Sequence, residues 1–254
     1  MILEKFIPGK SENTAYYALL DMMTDFDLGI SYADMMRYRI RGAAADDCHD
    51  IYYIAHDQGM ALSRHWNGWG KHADAIGNWG NFYTDPAYRG KGIGGKLLQF
   101  WYEDFLRMSE YPLCFLCSAA TKELTDLYRR FGFRPAMKNA EYGPLYRPVG
   151  NSPETFQEFC RNYYMPSDVL YHKKVNVGYR HEIDCLLRFA YRDLGLSFGF
   201  DDMKKIEEGI LRCPERCGML FSRDGHCVGW SLDNKIQVHP MYSDSVVLRE
   251  DLDC

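Results

Sequence analysis

Apolar residues recur at two different spacings in the first part of the chain. A helical spacing predicts helices over residues 12–27 and 31–42. An alternating spacing predicts a hairpin of two strands, residues 50–55 and 60–66, that turns at Asp57-Gln58-Gly59. The chain is therefore expected to begin with two helices followed by a pair of strands.

A third strand is predicted over residues 76–84, and a loop and an amphipathic helix follow it. Four apolar side chains share one side of that helix: Leu97, Leu98, Trp101 and Phe105. Such a stripe is typical of a helix that packs on a sheet. A short buried strand over residues 113–117 comes next, and a second helix leads to Phe133.

Residues 142–153 are rich in residues that break regular structure, and we interpret them as the end of a first domain and a linker. The predicted domains are residues 1–148 and 149–254. Three features of the first domain recur in the second at similar separations. They are Leu19-Leu20 and Leu186-Leu187, Asp34-Met35 and Asp202-Met203, and the turns at Asp57-Gln58-Gly59 and Asp224-Gly225. A partial duplication explains this order, and generic α+β packing explains it nearly as well.

The run Arg89-Gly90-Lys91-Gly92-Ile93-Gly94-Gly95-Lys96 lies between the third strand and the amphipathic helix. Its glycines allow successive backbone N–H groups to converge, and the new helix adds the positive end of its dipole. Arg89, Lys91 and Lys96 add positive charge. The junction therefore predicts a phosphate-binding loop.

The sequence of this run is similar to three known patterns of phosphate-binding loop. A dinucleotide fingerprint also needs an acidic residue at the end of the next strand, and Glu110 lies before that strand. A P-loop needs a Ser or Thr after its lysine, and Leu97 stands there. The third pattern, R-x-x-G-x-G, is met by Arg89, Gly92 and Gly94. Residues 84–94 as a whole resemble the acyl-CoA pyrophosphate loop of the GNAT N-acetyltransferase superfamily.

A second motif at the right distance strengthens this resemblance. The helix after the buried strand ends in Leu127-Tyr128-Arg129-Arg130-Phe131-Gly132-Phe133, which resembles the superfamily's tyrosine followed by Gly-Phe. The family pattern usually has an Asn seven residues before that tyrosine and an Ala four before it. Here Thr121 and Leu124 occupy those positions, so the usual amide contact to the cofactor is replaced at best by a hydroxyl. The resemblance covers residues 1–148.

The resemblance implies a GNAT-like α+β fold, a central mixed sheet flanked by helices, with a smaller C-terminal α+β domain, a candidate partial GNAT repeat. It also implies acetyl-CoA as cofactor and coenzyme A as product. The implied cofactor-binding residues are Phe82, Tyr83, Thr84, Arg89, Gly90, Lys91, Gly92, Ile93, Gly94, Gly95, Lys96 and Thr121. No second cofactor site is expected in residues 149–254, which contain no glycine loop.

The chemistry of acyl transfer suggests further residues. Tyr128 matches the family position whose phenol faces the coenzyme sulfur, so it is the candidate acid for the leaving thiolate. The strand before the loop contains no carboxylate, and His72 and Asp74 are the nearest upstream candidates for a base; a water chain without a single base is the alternative. Direct transfer to the amine is expected, because no cysteine lies in either motif.

Charge and aromatic residues bear on the acceptor. Residues 21–50 contain seven aspartates and only three arginines. If this acidic region borders the acceptor site, it favours a small cationic amine as acceptor. The alternative is that the aspartates form a solvent-exposed face of a helix. A peptide or protein amine is the second choice of acceptor. Trp66, Trp69 and Trp79 are candidates for an aromatic acceptor pocket or for core packing.

Composition limits the remaining possibilities. A net charge of −5 argues against a nucleic-acid surface, and no apolar run is long enough for a membrane span. Nine cysteines without a signal peptide predict reduced thiols and a cytoplasmic location, and the spacing of Cys213, Cys217, His226, Cys227 and His239 fits no common zinc site, so no metal is expected. A homodimer is an open possibility. The alternative to an enzyme is a non-catalytic acyl-CoA sensor or partner-binding module.

Overall fold

The computed structural model describes residues 1–9, 16–19, 30–72, 76–137, 140–194, 206, 208–233 and 235–249. The chain divides into two compact units, of which the first contains Met1–Trp69 and Asn78–Tyr111 and the second contains Gly70–Gly77 and Pro112–Cys254. The chain contains both strands and helices, and the strand pairs are both antiparallel and parallel, so the predicted mixed α+β fold is confirmed. In the part of the chain that is described, no helix is long and apolar enough to cross a membrane.

In the described residues of the first unit, four neighbouring strands and two helices have bounds that can be given. They are β1 (Ile2–Phe6), α1 (Ile30–Ile40), β2 (Cys48–Asp57), β3 (Met60–Gly70), β4 (Ile76–Thr84) and α2 (Ile93–Phe105). The strands lie in the order β1-β2-β3-β4, and β1 is antiparallel to β2. Only Ile76 and Gly77 of β4 belong to the second unit.

The predicted hairpin is confirmed, with strands longer than the sequence pattern indicated. Gln58 and Gly59 form its two-residue turn with φ of 48° and 84°. Two consecutive positive φ angles match the right-handed twist of the strands, and glycine adopts such an angle without strain. The helix expected over residues 31–42 is present as α1, and residues 16–19 are helical; the rest of the helix expected over 12–27 lies outside the described residues.

Each face of the first unit's strands has its own core. On one face, Phe6, Leu19, Ile40, Tyr52 and Trp66 belong to one buried cluster. On the other face, α2 buries the predicted stripe of Leu97, Leu98, Trp101 and Phe105. The predicted apolar stripe of this helix is therefore confirmed at each of its four residues, because a period of 3.6 residues places all four on the same side of the helix.

The second unit contains the rest of the chain. Its elements are β5 (Cys114–Ala119), α3 (Lys122–Arg129), β6 (Arg134–Pro135), β7 (Gly143–Pro148), α4 (Phe156–Tyr163), β8 (Val169–Lys174), α5 (Arg180–Leu194), β9 (Cys217–Phe221), β10 (Cys227–Leu232), β11 (Lys235–Val238) and β12 (Val246–Arg249), with helical residues also at 208–212. Strand β7 pairs antiparallel with both β5 and β6. A separate sheet has the order β11-β10-β9-β8-β12, in which only β12 and β8 are parallel.

The linker predicted over residues 142–153 is wrong for its first half. Residues 143–148 form β7, because their backbone pairs with β5 despite the prolines at both ends of the segment. The Tyr146 hydroxyl donates to the carbonyl of Pro153 at 2.7 Å, and the Tyr146 ring lies 5.7 Å from that of Phe156. Side chains before and after residue 148 thus share one core. The domain limits 1–148 and 149–254 stay a prediction.

The second sheet repeats the element order of the first unit. Strand β8, helical segments, the β9–β10 hairpin and β11 follow the order of β1, helices, the β2–β3 hairpin and β4. A three-residue helical turn follows each last strand, Pro86–Tyr88 in one case and Pro240–Tyr242 in the other. Asp85 caps the first by accepting from Ala87 N at 2.8 Å, and His239 Nδ1 caps the second by accepting from Met241 N at 3.1 Å.

This correspondence supports the predicted duplication, which stays a prediction. Of its three marker pairs, Asp202-Met203 lies outside the described residues, whereas Leu186-Leu187 lies on α5 and Asp224-Gly225 forms the β9–β10 turn. After Tyr242 the chain continues through Ser243-Asp244-Ser245 into β12, where the first unit has its glycine loop.

Candidate functional site

The glycine loop joins β4 to α2 in a conformation that exposes backbone N–H groups. Gly90 and Gly92 have φ of 76° and 73°, in the left-handed region that favours glycine. Gly92 is the N-cap of α2, and no side chain caps this helix end. The first N–H groups of a helix have no partner within the helix, so those of α2 are open to a ligand. Together with the helix dipole they form an anion site.

Three cations surround this helix end. Arg89, Lys91 and Lys96 are exposed, and none forms an ion pair with a carboxylate in the described part of the chain. Arg89 Nε donates to the Thr84 carbonyl at 2.9 Å, which directs the guanidinium back along β4, and Lys91 Nζ lies 4.8 Å from the Tyr88 ring. The positive charge is therefore available to a phosphate ligand.

The end of β4 departs from regular strand geometry. Asn81 has a φ of 53° in the middle of the strand, which bends the three half-buried residues that follow, Phe82 to Thr84. The Ser63 hydroxyl donates to the Tyr83 carbonyl at 2.9 Å and lies 2.9 Å from Thr84 Oγ1. The Ser63 side chain of β3 thus contacts the end of β4.

Gly94 brings the loop and the strand together. A Cβ atom at Gly94 would lie 2.7 Å from Phe82 Cζ and 2.9 Å from Thr84 Oγ1, so only glycine allows the first turn of α2 to contact β4 this closely. The structure therefore places the predicted residues 82–84 and 89–96 in one continuous site of the first unit. Their roles in cofactor binding stay a prediction.

The other two predicted site residues, Thr121 and Tyr128, belong to the second unit and lie on α3. Thr121 is the N-cap of α3, where its Oγ1 accepts from Leu124 N at 3.3 Å, and the same hydroxyl also hydrogen-bonds the Glu123 carboxylate. Tyr128 is buried, with 4% of its surface exposed, and its ring lies 6.3 Å from that of Phe133. Burial, and next the Cys117 thiol, raise the pKa of Tyr128, so the phenol stays protonated at neutral pH.

The candidate bases and the candidate tryptophans of an acceptor pocket lie in different environments. His72 is exposed, and Asp74 lies outside the described residues. Trp66 and Trp79 are core residues, since the Trp66 indole donates to Asp50 Oδ1 at 2.7 Å and Trp79 is 1% exposed. Trp69 lines a cavity near the C-terminal end of α2, together with Asp104 and Arg107.

The acidic region predicted to favour a cationic acceptor is partly neutralised. Asp34 pairs with Arg37 at 2.9 Å, and the fully buried Asp50 pairs with Arg39 at 2.6 Å. Three other members, Asp21, Asp25 and Asp27, lie outside the described residues. Within the ranges that the structure describes, no group of three or more His, Cys, Asp or Glu residues is arranged to hold a metal ion.

Sequence reasoning did not single out three residues of β3 that support the site. Ser63 holds the end of β4, Arg64 donates from Nε to Asn81 Oδ1 at 3.1 Å and lies over the Tyr83 ring at 4.8 Å, and the His65 ring packs on Trp79 at 4.3 Å. The sequence signal that could have identified them is a run of polar residues inside β3, the strand next to β4.

Comparison with known families agrees with this geometry. Residues 48–135 match the family model described as the acetyltransferase (GNAT) domain. The range runs from β2 to β6 and contains both the glycine loop and Tyr128. The resemblance to the GNAT superfamily predicted from these two motifs is thereby confirmed over residues 48–135.

Solved structures resemble the chain at low identity. PH1933 from Pyrococcus horikoshii OT3 is 17% identical, with 59% of this chain and 99% of that chain covered and a TM-score of 0.39. ElaA of Escherichia coli is 14% identical, with 57% and 98% covered and a TM-score of 0.44. An acyl-CoA N-acyltransferase from Pseudomonas aeruginosa is 16% identical, with 58% and 99% covered and a TM-score of 0.42. At these scores the likenesses carry no argument about function. No curated protein matches the chain in sequence.

Proposed function

We propose that this protein is an acyl-CoA-dependent N-acetyltransferase that moves the acetyl group of acetyl-CoA directly to a primary amine. The observation that carries the proposal is the uncapped N-terminus of α2, with left-handed Gly90 and Gly92 and three cations that pair with no described carboxylate. A pyrophosphate needs such converging N–H groups and positive charges. The match of residues 48–135 to the acetyltransferase family model supports acetyl-CoA as the ligand.

The proposal gives each predicted residue a role. Residues 89–96 bind the pyrophosphate, and Phe82, Tyr83 and Thr84 hold the pantetheine arm and the thioester with backbone groups. The Thr121 hydroxyl contacts the cofactor, and Tyr128 protonates the leaving thiolate. The sequence resemblance, rather than a measured distance, carries the assignments of Thr121 and Tyr128. Residues 1–148 form the catalytic domain in this proposal, and residues 149–254 are a partial copy without a cofactor loop.

The acceptor is proposed to be a small amine, with a peptide amine as second choice. The preference for a cationic amine rests on aspartates of which two are ion-paired and three lie outside the described residues. A cytoplasmic location and a homodimer likewise stay predictions.

A thiol-release assay tests the proposal. Acetyl-CoA is incubated with the protein and a panel of polyamines, amino acids, aminoglycosides and peptides, and free coenzyme A is measured. Turnover with one class of amine supports the enzyme and identifies its acceptor. Tight binding of acetyl-CoA without turnover on any amine contradicts the enzyme and supports the acyl-CoA sensor.

Tyr128→Phe tests the acid. Loss of the phenolic proton donor should lower kcat about 100-fold, the range of general acid catalysis, while the Kd of acetyl-CoA changes little. An unchanged kcat would assign Tyr128 to packing alone.

A further inference from the structure

An arginine from the C-terminal part of the chain contacts the end of strand β5. Arg188 lies on α5, and its Nη1 donates to the Cys117 carbonyl at 3.1 Å and to the Ser118 hydroxyl at 2.7 Å. Both elements belong to the second unit. A helix outside residues 48–135, the range that matches the acetyltransferase family model, therefore contacts a strand inside that range.

An ion pair within α5 holds Arg188 in place. Its Nε lies 3.0 Å from Asp184 Oδ2, about one helical turn earlier, and the two side chains are only 17% and 14% exposed. Burial acts to lower the pKa of Arg188, but Asp184 outweighs burial and raises this pKa, so the guanidinium is charged. The N–H groups of a guanidinium form a rigid planar fork. The pair with Asp184 therefore fixes the direction in which Nη1 reaches β5.

The Cys117 side chain connects this ion pair with Tyr128. Burial raises the pKa of the Cys117 thiol, and of its charged neighbours Arg188 lowers this pKa whereas Asp184 raises it. The same thiol is the neighbour that, after burial, raises the pKa of Tyr128. Cys117 is itself 2% exposed. The buried thiol thus has the ion pair and the proposed acid as its neighbours.

The contacted part of β5 also leads directly into α3. Only Ala119 and Ala120 separate Ser118 from Thr121, the N-cap of α3, and Tyr128 lies on this helix. So short a connection transmits a shift of the strand end to the helix. An interaction that fixes the end of β5 therefore also fixes the place of the Tyr128 phenol.

A charged pair is an unusual way to attach α5 to β5. Desolvation offsets most of the attraction within a buried ion pair, so such a pair adds little to stability. Elsewhere on the same two elements the contacts are apolar, since Cys114 and Leu116 of β5 share a core cluster with Cys185 and Leu186 of α5. The charged pair stands at the end of β5 beside Tyr128, where position matters for the proposed chemistry.

We propose that Arg188 is a positioning residue for the acetyl transfer, which fixes the end of β5 so that the Tyr128 phenol meets the departing thiolate. The inference rests on the proposed function. In that reaction the neutral amine nitrogen forms a bond to the acetyl carbon, the carbon–sulfur bond breaks, and the phenolic proton passes to the sulfur. The nitrogen then releases one proton to solvent, and solvent returns one proton to the phenol. Residues 149–254 thereby take part in catalysis although they contain no glycine loop.

Arg188→Lys tests the positioning role. It keeps a cation beside Asp184, so no buried charge is left unpaired, but one ammonium cannot occupy the places of both Nε and Nη1. Arg216→Lys is the matched control, because Arg216 Nε donates to Asp233 Oδ1 at 2.7 Å in the same unit, outside the proposed site.

The probe reaction is acetyl-CoA with whichever amine of the panel the wild-type protein acetylates fastest. Arg188→Lys should lower kcat about 10- to 100-fold, the cost of a misplaced catalytic group, with little change in the Kd of acetyl-CoA. Arg216→Lys should have the kcat of the wild-type protein, and both variants should keep its melting temperature. The double variant Arg188→Gln with Asp184→Asn removes both charges together, and it should lower kcat to a similar extent.

The Tyr128→Phe background separates positioning from packing. If Arg188 acts through Tyr128, Arg188→Lys should change kcat less than about twofold once the phenol is absent, because residues that act as a unit are not additive. An arginine that only stabilises the fold would lower kcat by the same factor in both backgrounds.

The outcomes separate the inference from the proposed function. If the wild-type protein turns over and Arg188→Lys has the same kcat, or lowers kcat equally in the Tyr128→Phe background, the positioning role is wrong and the enzyme stands. If Tyr128→Phe has the kcat of the wild-type protein, the positioning role and the acid role are both wrong. If the wild-type protein acetylates no amine, the inference and the proposed function are both wrong.

Discussion

Gly94 and Gly95 are neighbours in the first turn of α2 whose surroundings differ sharply. A Cβ atom at Gly94 would lie 2.7 Å from Phe82 Cζ and 2.9 Å from Thr84 Oγ1, whereas nothing lies within 4 Å of a Cβ atom at Gly95. Substituting each glycine by alanine adds the same methyl group to the same helix. The pair therefore isolates the contact between the glycine loop and β4.

The expected magnitudes follow from two opposing effects. Alanine favours a helix over glycine by up to about 1 kcal/mol per residue, and both variants gain this contribution. Only Gly94→Ala must displace the Phe82 ring or the helix, and overpacking of this kind costs about 1–3 kcal/mol. Gly95→Ala should therefore raise the free energy of unfolding by up to about 1 kcal/mol, and Gly94→Ala should be about 1–3 kcal/mol less stable than Gly95→Ala.

Urea denaturation followed by far-ultraviolet circular dichroism measures this difference. Both variants and the wild-type protein are unfolded at the same pH and protein concentration. Their midpoint urea concentrations are compared with the same slope m of the free energy of unfolding against urea concentration. Equal free energies of unfolding for the two variants would refute the close approach of α2 to Phe82 and Thr84.

Three further predictions concern single side chains. Asp50→Ala should lower the free energy of unfolding by about 3–5 kcal/mol in urea denaturation, because it leaves Arg39 charged and buried; a loss below about 1 kcal/mol would contradict the buried pair. Thr121→Ala should cost about 1 kcal/mol in the same assay by removing the cap of α3, and Thr121→Ser should restore it; equal stability of the two would refute the cap. Because the folded protein keeps His65 neutral, the unfolded chain binds more protons below a pH of about 6.5, and stability falls as pH decreases there by up to about 1.4 kcal/mol per pH unit. In denaturation at a series of pH values, His65→Phe should remove this contribution, and an unchanged pH dependence would contradict it.

Local patterns predicted most of the elements around the site. The strand expected over 76–84 is β4 with the same bounds, and the stripe on α2 is buried as expected, because period and burial are coupled in amphipathic elements. The glycine loop could be predicted because left-handed residues and a helix start have specific residue requirements. Residues 143–148 were wrongly predicted to be a linker because they contain two prolines. Their strand depends on pairing with β5, which is a long-range contact that a local pattern does not show.

The support of the site could not be read from the sequence. Asn81 has a positive φ, and its side chain accepts from Arg64 of the neighbouring strand; a local sequence pattern does not report such partners. The burial of His65 and Asn67 could not be predicted for a similar reason, because polar residues in a strand normally indicate a side that faces solvent. Only the packing of α2 over this part of β3 shows that the two side chains are buried.

A calorimetric titration of acetyl-CoA into the wild-type protein and into Arg89→Ala tests whether the glycine loop binds the pyrophosphate of the cofactor. Arg107→Ala is the matched control, because this exposed arginine lies just beyond the opposite end of α2. We expect the wild-type protein and Arg107→Ala to bind acetyl-CoA with the same Kd, and Arg89→Ala to bind it at least about tenfold more weakly, the effect of one charge-assisted hydrogen bond to a phosphate. Equal affinity of Arg89→Ala, or no binding by the wild-type protein, would contradict the assignment of the glycine loop to the pyrophosphate.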